Sequence, residues 1–167
     1  GKSHLGELLA AARDFAHLEM DAVRLRILPD AAHTREDRSI AYRAMHYAAE
    51  LLAAQDRPVI VNAGYSHAED RREIEQVAFR VRTPLHLVEF AVSPETAVER
   101  SRLRRIEHAG LDLTDARVAE LVRGFPYFRG GLVIDSECPA ESSLRRILDH
   151  LARGKPLSPG AWPAAGR

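Results

Sequence analysis

Apolar positions recur along the chain with two alternating periods, one near 3.6 residues and one near 2. Residues 4–13, HLGELLAAAR, carry Leu5, Leu8, Leu9 and Ala12 at i, i+3, i+4 and i+7, the stripe of an amphipathic helix. FAHLEMD, at 15–21, is short and apolar and reads as a strand ending on an acid, Asp21. A long helix is expected over 33–55, with Thr34 as N-cap and a buried face of Ile40, Ala44, Tyr47, Leu51 and Leu52. PVIVNAG, at 58–64, is a β-branched run bounded by Pro and Gly, the mark of a buried strand. Ser66 and Glu69 have capping-box spacing ahead of Ile74, Val77, Ala78 and Val81 at helical spacing. LHLVEFA, at 85–91, is another strand, and Ser93-Pro94 opens a helix with Ser as N-cap and Pro at its first position. That helix runs to about 109 and is strongly basic in its second half. A short helix from Thr114 to Arg123, the aromatic turn FPYFRGG, a strand LVIDS at 132–136 and a helix over 140–152 follow. Residues 153–167 are Pro/Gly-rich and read as a tail or linker behind a domain spanning 1–152.

Strand and helix alternate throughout, which predicts an α/β fold: a mostly parallel sheet with helices on both faces. Ligands of such sheets bind at the carboxyl ends of the strands. The acid after the first strand, NAGY after the second, SP after the third and DSE after the last all gather at that end. The length of 167 residues suits one domain with a sizeable core. Basic and acidic residues number 24 each, so no bulk charge draws the chain to nucleic acid or an anionic membrane. No apolar run approaches the ~20 residues of a membrane span, and no secretory apolar segment opens the chain. The single cysteine, Cys138, rules out an internal disulfide and fits a reducing cytoplasm.

The chemistry starts at the first three residues. Gly1-Lys2-Ser3 reproduces the last three letters of a phosphate loop, G-x-x-x-x-G-K-[ST]. All basic residues but Lys2 and Lys155 are Arg, so a Lys set between Gly and Ser just ahead of an amphipathic helix favours the phosphate reading over chance. Such a loop offers backbone N–H groups and a helix N-terminus to phosphate oxygens. Lys2 would reach the β- and γ-phosphates of ATP and Ser3 would hold Mg²⁺. Asp21 could take a proton from an attacking hydroxyl, and Arg24, one helical turn on, could bind the acceptor's charge. The plainer alternative makes Asp21 the N-cap of AVRLRIL. Arg100 and Arg104 share a helix face and suit charge neutralisation in phosphoryl transfer. Arg102 and Arg105 read instead as a solvated face paired with Glu99 and Glu107. Eight histidines show no metal-ligand spacing, and Cys138 lacks an activating partner. The FPYF aromatics suit packing or an adenine pocket. Arg71 and Arg72 suit a solvated helix start or an acceptor phosphate.

The order GKS, MDAVRLRIL, VIVNAGYSHAEDRR, VSPETAVERSRLRR, LTDA, VIDS resembles the P-loop kinase-like proteins called AAA_33 domains. Polynucleotide 5′-kinases, gluconate and adenylylsulfate kinases and zeta-toxin-type kinases are their relatives. The resemblance covers roughly residues 1–152. It implies a three-layer P-loop fold, nucleotide and Mg²⁺ on Gly1, Lys2, Ser3 and His4, and Asp21 as base with Arg24 on the acceptor. It further implies that the helix at 94–109 is a lid whose Arg100 or Arg104 closes over the phosphates. Two departures stand out. The family places a strand and a glycine-rich loop ahead of G-K-S, so the first, central strand is expected to be missing from this chain. The strand PVIVN commonly ends in Asp, which organises the Mg²⁺ shell, and here it ends in Asn62. Glu89 on the next strand would compensate if its side chain reached the site. His4, where Thr is usual, is a lesser change.

The leading reading is therefore an ATP-dependent kinase acting on a hydroxyl of a small or nucleotide-like acceptor, by positioning and charge neutralisation. A second is an ATP-sensing module without transfer, which Asn62 favours. A third is a polynucleotide 5′-hydroxyl kinase, for which the zero net charge leaves room only at a short end-binding pocket.

Overall fold

The structure, a computed structural model, describes residues 1–30, 34–107 and 114–162, with side chains to residue 103 in the middle segment. The elements are α1 (Lys2–Arg13), β1 (Ala16–Glu19), α2 (Met20–Ile27), α3 (Arg35–Ala53), β2 (Val59–Asn62) and α4 (Ala68–Arg80). Then come β3 (Val88–Ala91), α5 (Pro94–Glu107), α6 (Asp115–Arg123), β4 (Leu132–Asp135) and α7 (Ala140–Arg153).

The four strands form two parallel pairs. Ala16 to Glu19 lie opposite Val59 to Asn62, and Val88 to Ala91 lie opposite Leu132 to Asp135. Among the described residues β2 and β3 share no ladder. Between the pairs runs a cavity of about 610 Å³, lined by Leu9, Ile60, Val61, Ile74, Val88 and Phe90 among others. The seam lies between β2 and β3, alongside both strand pairs.

Period-2 alternation sends neighbouring strand residues to opposite faces, and a core forms on each face of the seam. On one side Met20, Tyr42, Met45, Tyr65, Ile74 and Trp162 pack together, with Val61, Leu87 and Phe128 against them. On the other, Leu9, Ile134 and Ile147 gather Phe15, Ile60, Val88 and Phe90. Both cores thus take residues from β2 and from the β3 side. After α7 the chain returns to the first core: Leu157 N–H donates to Leu85 O at 2.7 Å, and Trp162 lies against Tyr65 with ring centroids 5.2 Å apart.

Three local expectations differ. The strand β1 ends at Glu19, and Asp21 sits in the first turn of α2, with Glu19 as N-cap. The capping box at Ser66 and Glu69 does not form; α4 starts after His67 with no side-chain cap. Arg35 lies 3.7 Å from Glu69 and bonds Asp70 at 3.0 Å, so the first-turn acids of α4 face α3 instead. In α3 the Thr34 cap is present, with Asp37 completing the box. The buried face, however, is Ala41, Tyr42, Met45, His46 and Ala49, while Tyr47 and Leu51 are 64% and 47% exposed. Apolar residues circle most of this helix, so hydrophobicity alone does not fix its rotation. Polar atoms that find partners do. His46 Nδ1 lies 2.9 Å from Glu73 and Nε2 3.0 Å from the Tyr65 hydroxyl, and the Tyr42 hydroxyl accepts from Tyr65 N–H at 2.9 Å.

A candidate phosphate and acceptor site

Helix α1 starts at Lys2 directly after Gly1 and carries no acid in its first turn, so its positive end is left for an anion. The helix lies close on β1, for a Cβ at Gly6 would stand 2.6 Å from His17 Nε2. That contact sets the first turn over the carboxyl ends of β1 and β2. Lys2 Nζ donates to Asn62 Oδ1, and Ser3 Oγ donates to Glu19 Oε1. Asn62 Nδ2 reaches Glu19 at 3.5 Å and His17 Nε2 at 3.4 Å. Burial of the ammonium pulls the Lys2 pKa below its ordinary value, against the nearby charges of Glu19 and Asp21. His4 is exposed on the next turn position and touches none of these groups in the hydrogen bonds described.

Asp21, in the first turn of α2, is 66% exposed at its side chain and 4.0 Å from Arg24 Nε. Arg24 is almost wholly buried, and its Nε and Nη1 have no hydrogen-bond partner. A buried guanidinium with unmet donors is costly unless an anion meets it. The acid and the arginine are thus brought together beside Lys2, one open to solvent and one turned inward.

Arg100 approaches from the other strand pair. Its Nη2 donates to Ser136 O at 2.7 Å, and a Cβ at Gly1 would lie 3.6 Å from its Nη1. Arg104 lies on α5, and its side chain falls outside the described residues. Arg102 pairs with Asp115 of α6 at 2.6 Å rather than with Glu99. Glu89 does not reach Lys2 and Ser3: its oxygens accept from Phe128 N–H at 2.7 Å and Arg129 N–H at 2.6 Å. Arg71 is buried below this segment, with Nη1 3.5 Å from Pro126 O, whereas Arg72 is exposed.

The site residue absent from the sequence expectations is Glu19. Its signal was legible: His17 and Glu19 alternate with Leu18, so a polar face ends in a carboxylate at the strand's C-terminus. Asp21 drew attention instead because the strand was extended two residues too far. The donor set also suits Mg²⁺. The Ser3 hydroxyl and the Glu19 carboxylate are hard oxygens, and Mg²⁺ takes one or two protein oxygens beside substrate phosphates. No cluster of three or more His, Cys, Asp or Glu that could hold a metal occurs among the described residues, so a closed protein cage is not on offer.

The family model described as an AAA domain, AAA_33, matches residues 1–126. No protein among curated sequences matches the chain. Solved structures that share the fold include these three. A candidate kinase from Chloroflexus aurantiacus aligns at TM-score 0.73 and 19% identity, covering 93% of this chain and 91% of its own. A gluconokinase from Sinorhizobium meliloti aligns at TM-score 0.68 and 23% identity, covering 92% and 86%. The tunicamycin resistance protein of Deinococcus radiodurans aligns at TM-score 0.64 and 14% identity, covering 89% and 90%.

Proposed function

The chain belongs to the AAA_33 family of P-loop kinase-like domains, and on that premise we propose that it is an ATP-dependent kinase moving the γ-phosphoryl group to a hydroxyl of a small acceptor. One observation carries the proposal: Lys2 and Ser3 face Glu19 and Asn62 at the strand ends, with Asp21 and Arg24 beside them.

In this reading the α1 N-terminus and Lys2 hold the β- and γ-phosphates. Bound Mg²⁺ would be held by Ser3, with Asn62 alongside, and would neutralise charge on the phosphate oxygens. Asp21 is exposed enough to meet an acceptor hydroxyl and accepts its proton as the oxygen bonds to phosphorus and the β–γ bridge bond breaks, releasing ADP. Arg24 offers its unmet donors to the acceptor. Arg100, adjoining Gly1, would neutralise charge on the transferred group.

Calorimetric titration with Mg-ATP tests this. Lys2→Ala should weaken binding by about tenfold or more, each tenfold being about 1.4 kcal/mol. Asp21→Asn should keep ATP binding and lose phosphoryl transfer to a panel of hydroxyl compounds. The Asn62 amide, which Lys2 already occupies, is what favours an ATP sensor. A sensor would bind ATP through Lys2, transfer nothing, and be indifferent to Asp21→Asn. An affinity unmoved by Lys2→Ala would remove both readings.

A further inference from the structure

We propose that Glu19 supplies the metal-side carboxylate of this site, one strand over from position 62, and that Asn62 is its matched amide. The inference rests on the kinase reading of the same residues. Glu19 and Asn62 are register partners on adjacent parallel strands, so a carboxylate on either points from nearly the same place. The bond from Ser3 decides which one faces the cation. A hydroxyl that binds a cation through its oxygen must send its proton elsewhere, and Ser3 sends it to Glu19 Oε1. Glu19 therefore orients Ser3 for the metal and adds negative charge behind it.

The amide at position 62 follows from that placement. Asn62 accepts from Lys2 through Oδ1 and turns Nδ2 toward Glu19 Oε1 at 3.5 Å, joining ammonium and carboxylate. An Asp there could only accept, and would set a second carboxylate against Glu19 on the neighbouring strand, where like charges repel. The other carboxylate in contention, Glu89, is committed to the amides of Phe128 and Arg129. His17, two residues earlier on the same strand, closes the group, its Nε2 lying 3.4 Å from Asn62 Nδ2. Position 62 thus carries the amide because position 19 carries the carboxylate.

The test uses the full chain and reads metal coupling rather than turnover. ATP affinity is measured by calorimetry in Mg²⁺ and in EDTA, and Mn²⁺ bound to the ATP complex is counted by electron paramagnetic resonance. In the parent chain Mg²⁺ should tighten ATP binding. In Glu19→Gln that gain should vanish and Mn²⁺ affinity should fall by about 10- to 100-fold, the range for removing a partner that orients a metal ligand. Adding Asn62→Asp to Glu19→Gln should restore both, because the carboxylate is then merely moved. A structural role alone would show as a lower unfolding temperature without that rescue. Glu19→Gln retaining the Mg²⁺ gain, or the folded double variant failing to regain it, overturns the proposal and leaves the kinase reading standing. ATP binding that is absent from the parent, or blind to Lys2→Ala, overturns both.

Discussion

At the scale of single residues, burial separates side chains whose polar atoms find partners from those whose polar atoms do not. Arg24 is the clearest of the second kind. Its side chain is 3% exposed, with two nitrogens unmet, so it burdens the folded state. Arg24→Met should leave the thermal midpoint unchanged or raise it, since Arg24 alone bears the burial cost while its partner Asp21 stays 66% exposed and is not stranded by the change. The same variant should raise the acceptor KM without a matching loss of ATP affinity; a lowered midpoint would show that Arg24 is structural. His46 is the opposite case. Burial holds its pKa below the ordinary 6.5, with Glu73 opposing, so the folded protein keeps the ring neutral. Its Nδ1–H then suits Glu73, and Nε2 suits the Tyr65 hydroxyl. The unfolded chain binds the proton more readily, so the contribution is whole above about pH 6.5 and is lost as pH falls toward the lower folded value. His46→Leu should flatten the urea-midpoint profile in that window. His86, lowered by burial and by His150, keeps a residual slope there.

At the scale of elements, most of the fold was legible because caps and periods agreed. Thr34, Ser93 and Thr114 each cap the helix they were expected to start. The parallel pairing follows from alternation alone. The rotation of α3 was not legible, for Tyr47 and Leu51 have the hydrophobicity of a buried face but none of its partners. Ala41 and Ala49 let that face come close, and His46 is admitted by bonds to residues 19 and 27 positions away. Such partners are invisible to a helical-period argument. The site shows the same division: Lys2, Ser3 and Asn62 were marked by motif and strand end. Glu19 was not, because its meaning depends on which strand lies beside it. Unfolding measurements on two α3 variants check the rotation. Met45→Ala, fully buried, should cost about 2–5 kcal/mol. Leu51→Ala should fall within about 0.5 kcal/mol of the parent, as exposed positions do. Equal losses would put the helix in the other orientation.

At the scale of the whole molecule, the seam between β2 and β3 governs. Its lining is mostly apolar, and side chains facing a gap lose the dispersion contacts that a packed strand would give them. Joining an apolar strand and a glycine-rich loop ahead of Gly1 should therefore raise the thermal midpoint and strengthen Mg-ATP binding together. A raised midpoint with unchanged ATP affinity would separate the seam from the phosphate site. Neither rising would show that the gap is not shaped for a strand. No helix among the described residues is long and apolar enough to cross a membrane.

The same seam parts the strands into two pairs, which the hydrophobic cores on either face join. Asp21 and Arg24 lie with β1 and β2, Arg100 and Ser136 with β3 and β4, and among the described residues no ladder ties the two pairs together. Gly1 leans on the second pair while Lys2 and Ser3 grip the first. The opening tripeptide thus touches both strand pairs at once, with Asp21 and Arg24 on one side of it and Arg100 on the other.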